Sequence, residues 1–227
     1  MSSIAAWPPS RRTVALLLLT GTTGVVDAVS FLGLDQVFTA VMTGNLLFLG
    51  LGLVDRATPV AAPLVALAAF AAGALAGHRV NGALLRRAGE RWPGFAVCGE
   101  AAVVTVAAVL ALGLSGGPPR ETPHRFAVIA VLALAMGWRN TTVLRMGAPA
   151  QALPTTVATR ALAGLFMGPP PATRGRRAGT IVAIFAGAVV GALLLGLHPA
   201  VPLLAAAAVE IAAALLLLRD PGRGGTG

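Results

Sequence analysis

The sequence predicts an all-α integral membrane protein, with six full transmembrane helices and two broken or re-entrant segments arranged as two inverted repeats. Three observations predict it. Hydrophobic residues make up 56% of the 227 and charged residues only 11%, with a mean hydropathy of +0.83. Water-soluble domains carry about 25% charged residues, so too few polar side chains remain to coat a globule. Arginines fall in short runs between apolar stretches of membrane-crossing length. Polar and glycine positions in the first half also recur in the second at a nearly constant offset.

Taken in order, eight apolar segments lie near 13–34, 36–54, 59–81, 94–114, 125–146, 150–167, 178–197 and 199–218. The first follows Ser10-Arg11-Arg12-Thr13 and a leucine run, which faintly resembles a twin-arginine export signal. Further membrane-length segments follow, so it is read as a first helix whose start Arg11 and Arg12 hold in the cytoplasm. The second is interrupted by Met42-Thr43-Gly44-Asn45, and the sixth by Pro154-Thr155-Thr156 and Thr159-Arg160. Gly116-Gly117-Pro118-Pro119 closes the fourth, and Gly168 with three prolines closes the sixth. Residues 1–10 and 221–227 are expected to be short disordered tails of a single membrane domain covering 1–227.

Eight full crossings would put Arg11 and Arg12 opposite Arg86, Arg87 and Arg91. If segments two and six instead enter and leave by one face, the tail, the 82–93 loop, the 168–177 loop and the end with Arg219 share a side. The positive-inside rule selects that arrangement, with both termini cytoplasmic in a bacterial plasma (inner) membrane. Irregular backbone at membrane depth must be buried in protein or line a water-filled cavity. The alternative is two short, kinked spanning helices.

The recurrence divides the chain into repeats of about 13–114 and 125–218. Gly24-x-x-Asp27 matches Gly137-x-x-Asn140, 113 positions on. Gly73 and Gly77 match Gly187 and Gly191, 114 on, and Glu100 matches Glu210, 110 on. Thr43-Gly44-Asn45 aligns with Thr159-Arg160-Ala161 once two or three extra residues are allowed. Three spans per half make the halves point in opposite directions, a common transporter design with a midplane site.

The stretch Thr23-Gly24-Val-Val-Asp27-Ala-Val-Ser-Phe-Leu32, then Val37-Phe38 and Met42-Thr-Gly-Asn45-Leu46, resembles the signature of the YoaK family. So do Gly137-x-x-Asn140, Gly147-x-Pro149 and Thr155-Thr-Val-x-Thr159. The resemblance covers nearly the whole chain. It implies a single inner-membrane domain of a bacterial multi-pass family of unknown function, and brings no substrate or reaction. Two positions depart from the family pattern: Val41 stands where Asn is usual, and Arg160 where Gly is usual.

The candidate transport or polar-core residues are Asp27, Thr43, Gly44, Asn45, Glu100, Arg139, Asn140, Thr159, Arg160 and Glu210. Ionisable groups inside a span are costly and mark solute or proton pathways by default. Each has a structural alternative. Asp27 could receive amide protons from a half-helix, Thr43-Gly44-Asn45 could form a kink, Glu100 could pair with Arg91, and Arg139 with a glutamate. Arg160 could snorkel to the interface. Asn140, an amide, favours a task shared with Asp27 that needs no titration. The GxxxG elements read as close helix packing.

The net charge of +9 comes from arginines in loops, not from a basic soluble face with aromatics, so no nucleic-acid partner is expected. Cys98 is alone, and His78, His124 and His198 lie in different segments. No HExxH or phosphate-binding loop occurs. No cofactor, metal or enzymatic activity is expected. The partners implied are the lipid bilayer and an unidentified small solute, with a homo-oligomer left open. The leading function is a small secondary transporter or channel-like permease for a small polar or anionic solute. The alternatives are a non-transporting scaffold and, behind it, an intramembrane enzyme.

Overall fold

The computed structural model describes residues 10–114, 123–147, 161–166 and 171–219. These residues are helical, with no strand among them. The helices are α1 (Arg11–Gly33), α2 (Met42–Gly52), α3 (Ala61–Ala88), α4 (Trp92–Ala111), α5 (Pro123–Arg145), α6 (Pro171–Leu195) and α7 (Ala200–Leu218). A helical turn also covers 161–165, and the Arg177 guanidinium donates to its Gly164 carbonyl.

Among the described residues, five stretches are long and apolar enough to cross a membrane. One of them, Ala61–Ala111, holds both α3 and α4. The chain reverses between these at a 3-10 turn over Gly89–Arg91, where Gly89 takes a φ of 52°. That left-handed conformation is open to glycine at no steric cost. At 1.5 Å per residue, the 19 residues of α7 reach about 29 Å, matching a hydrocarbon core of about 30 Å. The 11 residues of α2 reach only about 17 Å.

Neighbour contacts give each helix its direction. Gly21 and Gly24 of α1 face Gly187, Ile184 and Ala188 of α6, while Leu17 meets Gly179 and Gly33 meets Leu195, so these helices run parallel. In α3 and α5, Gly73 faces Leu134, Gly77 faces Trp138, and Asn81 bonds Thr142, again in parallel. Helix α4 runs against α7, with Gly94 beside Ala214 and Leu218. Arg11 donates to the Arg219 carbonyl and Arg12 to that of Met146, which bring the start of α1 to the ends of α7 and α5.

One end of the bundle therefore holds the N-termini of α1, α4 and α6 and the C-termini of α3, α5 and α7. Arg11, Arg12, Arg86, Arg87, Arg91, Arg145 and Arg219 all lie there. The other end holds α2, Asp35, Asp55, Arg56 and Arg125.

The glycines explain how close these pairs come. A Cβ on Gly24 would strike the Ile184 carbonyl oxygen, and one on Gly137 would strike that of Phe70. A Cβ on Gly187 would strike the Gly21 carbonyl, and one on Gly73 that of Leu134. The contacts recur residue for residue, 113 positions apart in α1 and α5 and 114 apart in α3 and α6. Asn81 continues the Gly73-Gly77 stripe on α3 at a spacing of four, so the same face buries a polar side chain. It accepts from the Trp138 indole at 2.9 Å and donates to the Thr142 hydroxyl at 3.0 Å. Trp138, partly buried, is thus tied to α3 through its indole N–H.

Segment two departs in detail from the sequence expectation. Its irregular part precedes Met42-Thr43-Gly44-Asn45, and those four residues form the first turn of α2. The break falls over residues 34–41, where Asp35 and Gln36 take positive φ values of 45° and 52°. The expected interruption of segment six, with Thr159 and Arg160, lies outside the described residues.

Candidate functional site

Two polar constructions occupy the bundle. The first holds the irregular strand of chain ahead of α2. Asp27, six residues before the end of α1, accepts the backbone N–H groups of Thr39 at 3.0 Å and Ala40 at 2.9 Å. Asn45, in the first turn of α2, accepts the Phe38 N–H at 3.1 Å and donates to the Phe38 carbonyl at 2.6 Å. Residues 38–40 are thus held by two side chains, one from α1 and one from α2. Backbone groups freed from helix must find partners where water is absent, and these two side chains supply them. Phe38 also stacks on Phe31 and Phe48, with ring centroids 5.0 Å and 6.4 Å away. Its ring lies against Gly44, where a Cβ would collide with it. Thr43 is exposed.

The second construction sits at mid-height. Glu100 lies eight residues after Trp92 and eleven before Ala111; Glu210 lies ten after Ala200 and eight before Leu218. Both are fully buried, and both ion-pair with Arg139, itself 6% exposed. The Arg139 Nε donates to Glu100 Oε1 and its Nη2 to Glu210 Oε1. Its Nη1 donates to the Leu19 carbonyl at 3.1 Å and to the hydroxyls of Thr22 at 2.9 Å and Thr23 at 3.1 Å. One guanidinium therefore joins α1, α4, α5 and α7. The other oxygen of each glutamate is buried without a hydrogen-bond partner. With one cation and two carboxylates, full ionisation would leave the triad one negative charge in excess. An uncompensated charge in such a setting is expensive.

The alternative pairing of Glu100 with the loop residue Arg91 is not adopted, because Arg139 takes it at the bundle centre. Asn140 is partly buried on α5. No bond joins it to Asp27, since α1 and α5 place the two near opposite ends. Thr22, Thr23 and Asn81 were missed as site residues. Their signal was present: hydroxyls between Gly21 and Gly24, and an amide one turn from Gly77, inside apolar helices whose glycines mark packed faces.

Outside the spans, Asp55 accepts the Ala57 N–H at 3.0 Å and the Thr58 hydroxyl at 2.9 Å, which hold its carboxyl below the ordinary carboxylate range. Arg125 donates to the Gly33 carbonyl at 2.8 Å and lies 3.9 Å from Asp35. Among the described residues, no group of three or more His, Cys, Asp or Glu is placed to hold a metal ion. A cavity of about 240 Å³ opens at the arginine-rich end, lined by Arg12, Glu90, Trp92, Pro93, Arg145, Met146 and Leu217.

Comparison with known proteins agrees with this membrane architecture. The chain is 30% identical over 160 residues to the transmembrane protein YoaK of Bacillus subtilis (strain 168), a match covering 68% of this chain and 66% of that protein. No solved structure matches. A family model described as a protein of unknown function, DUF1275, matches residues 15–216, which is most of the chain. The protein belongs to that family, the YoaK family of multi-pass membrane proteins.

Proposed function

We propose that this chain is a small secondary transporter or channel-like permease of the bacterial plasma membrane, moving a small polar or anionic solute between two inverted repeats. In this reading α1, α3, α4, α5, α6 and α7 are six full spans, α2 is a re-entrant segment, and the arginine-rich end faces the cytoplasm. The recurring glycine contacts support the repeats, because α1 with α6 and α5 with α3 use equivalent residues while α1 and α5 run in opposite directions.

The observation that carries the reading is the Glu100–Arg139–Glu210 triad. Its two glutamates come from matching helices, meet at mid-height between the halves, and leave two carboxylate oxygens unpartnered. A site with one excess negative charge at the crossing of two halves suits a coupling proton or an exchangeable ion. Asp27 and Asn45 then hold the re-entrant segment and contact no solute.

A second reading, a non-transporting membrane scaffold, is favoured by the saturation of Arg139. Each of its three nitrogens already has partners, and together they fasten four helices. Water access separates the two readings. Thr23→Cys in a Cys98→Ala background is exposed to a membrane-impermeant thiol reagent in right-side-out and inside-out vesicles. Transport requires labelling from at least one face of the folded protein. A cysteine labelled only after denaturation would leave the scaffold.

A further inference from the structure

The cavity at the arginine-rich end is separate from both constructions described above. Its walls come from the start of α1, the turn before α4, the end of α5 and the end of α7. Two guanidinium side chains, Arg12 and Arg145, share it with one carboxylate, Glu90. None of the three makes an ion pair with another described residue, although opposite charges line the same space. Arg12 spends part of its fork on the Met146 carbonyl, while Arg145 and Glu90 are exposed. Trp92 adds an indole, and Pro93, Met146 and Leu217 add an apolar wall.

We propose that this cavity binds the headgroup of a phospholipid bearing both a phosphate and a primary amine, of the phosphatidylethanolamine type. Guanidinium groups form charge-assisted hydrogen bonds to phosphate oxygens. The Glu90 carboxylate accepts from the ammonium group. A purely anionic headgroup would satisfy the arginines and meet repulsion at Glu90. The volume holds about eight water-sized groups at about 30 Å³ each, the size class of a phosphoethanolamine group. The cavity also lies at the ends of membrane-length helices, beside a tryptophan and several arginines, which is the depth of lipid headgroups. The apolar wall receives the glycerol end.

The test uses the full chain in detergent, with bound lipid read by native mass spectrometry. Phosphatidylethanolamine, phosphatidylcholine and phosphatidylglycerol are offered in competition, alongside soluble O-phosphoethanolamine. Phosphatidylethanolamine is expected to bind best, because methylation removes the N–H donors and glycerol lacks the cation. Glu90→Gln should abolish its preference over phosphatidylglycerol, and Arg145→Ala should weaken every phospholipid about fivefold. Equal binding of the three lipids, or a preference that survives Glu90→Gln, would overturn the proposal. Soluble O-phosphoethanolamine binding as tightly as the lipid would overturn its lipid source. Both side chains are exposed and outside the packed core, so neither variant endangers the fold.

Discussion

Arg139 is the side chain on which most depends, and its two glutamates make its removal asymmetric. Arg139→Leu leaves two carboxylates buried with no cation, a change that costs about 3–5 kcal/mol when one partner of a buried pair is lost. A triple variant with Glu100→Leu and Glu210→Leu removes the stranded charges as well, and should recover most of that loss. Thermal unfolding in detergent checks both. If the triple variant were as unstable as the single one, the bonds from Arg139 to Leu19, Thr22 and Thr23 would be the greater contribution. Sequence reasoning found all three members of the triad, because charges in apolar helices announce themselves. It allowed Arg139 a glutamate partner, but did not find that both Glu100 and Glu210 meet it. That depends on which faces of α4, α5 and α7 turn inward, and alanine-rich helices carry little periodic contrast to say so.

At the scale of elements, glycine decides which helices touch. Gly24 and Gly137 carry the same burden on α1 and α5, each against a carbonyl oxygen of the parallel neighbour. Gly24→Ala and Gly137→Ala should each destabilise by about 1–3 kcal/mol through overpacking, and by similar amounts. Gly50→Ala in α2, where a Cβ meets nothing within 4 Å, should be neutral or slightly stabilising. Unfolding measurements on the three variants test the recurrence directly: unequal losses at Gly24 and Gly137 would show that the two halves are packed differently. The GxxxG spacing was legible as packing, and the recurrence was legible as an offset. Less legible was the start of α2. Thr-Gly-Asn looked like the break itself, yet Gly44 is accommodated in helix because Phe38 folds against it, and the irregular backbone moves upstream to Asp35 and Gln36.

For the whole molecule, the arginines order the bundle more strictly than hydropathy does. Helices α3 and α4 follow one another almost without a gap, and Arg86, Arg87, Glu90 and Arg91 mark the boundary at the Gly89–Arg91 turn. Charge placed Arg11, Arg12, Arg86, Arg87, Arg91 and Arg219 on one side, and the folded helices bring them to one end. Single cysteines at residues 35 and 55, introduced into the Cys98→Ala chain, should therefore be labelled from the same face of sealed vesicles. Labelling from opposite faces would make segment 36–54 a full crossing and reverse everything after it. Helix α6 stands apart in this bundle. Only 6% of its apolar window is buried, against 44–56% in the others, so Val182, Phe185 and Leu193 face outward where acyl chains suit them.

The triad also bears on synthesis. Glu100 leaves the ribosome first, Arg139 next and Glu210 last. An arginine at the centre of a helix costs about 2.5–3.5 kcal/mol to insert alone. When α5 arrives, Glu100 of α4 is already present to meet it, so the two can enter as a neutral hairpin. The late glutamate on α7 then joins a pair that is already neutral, and closes the bundle around it. The last helix to be made is thereby the one that sets the net charge of the core.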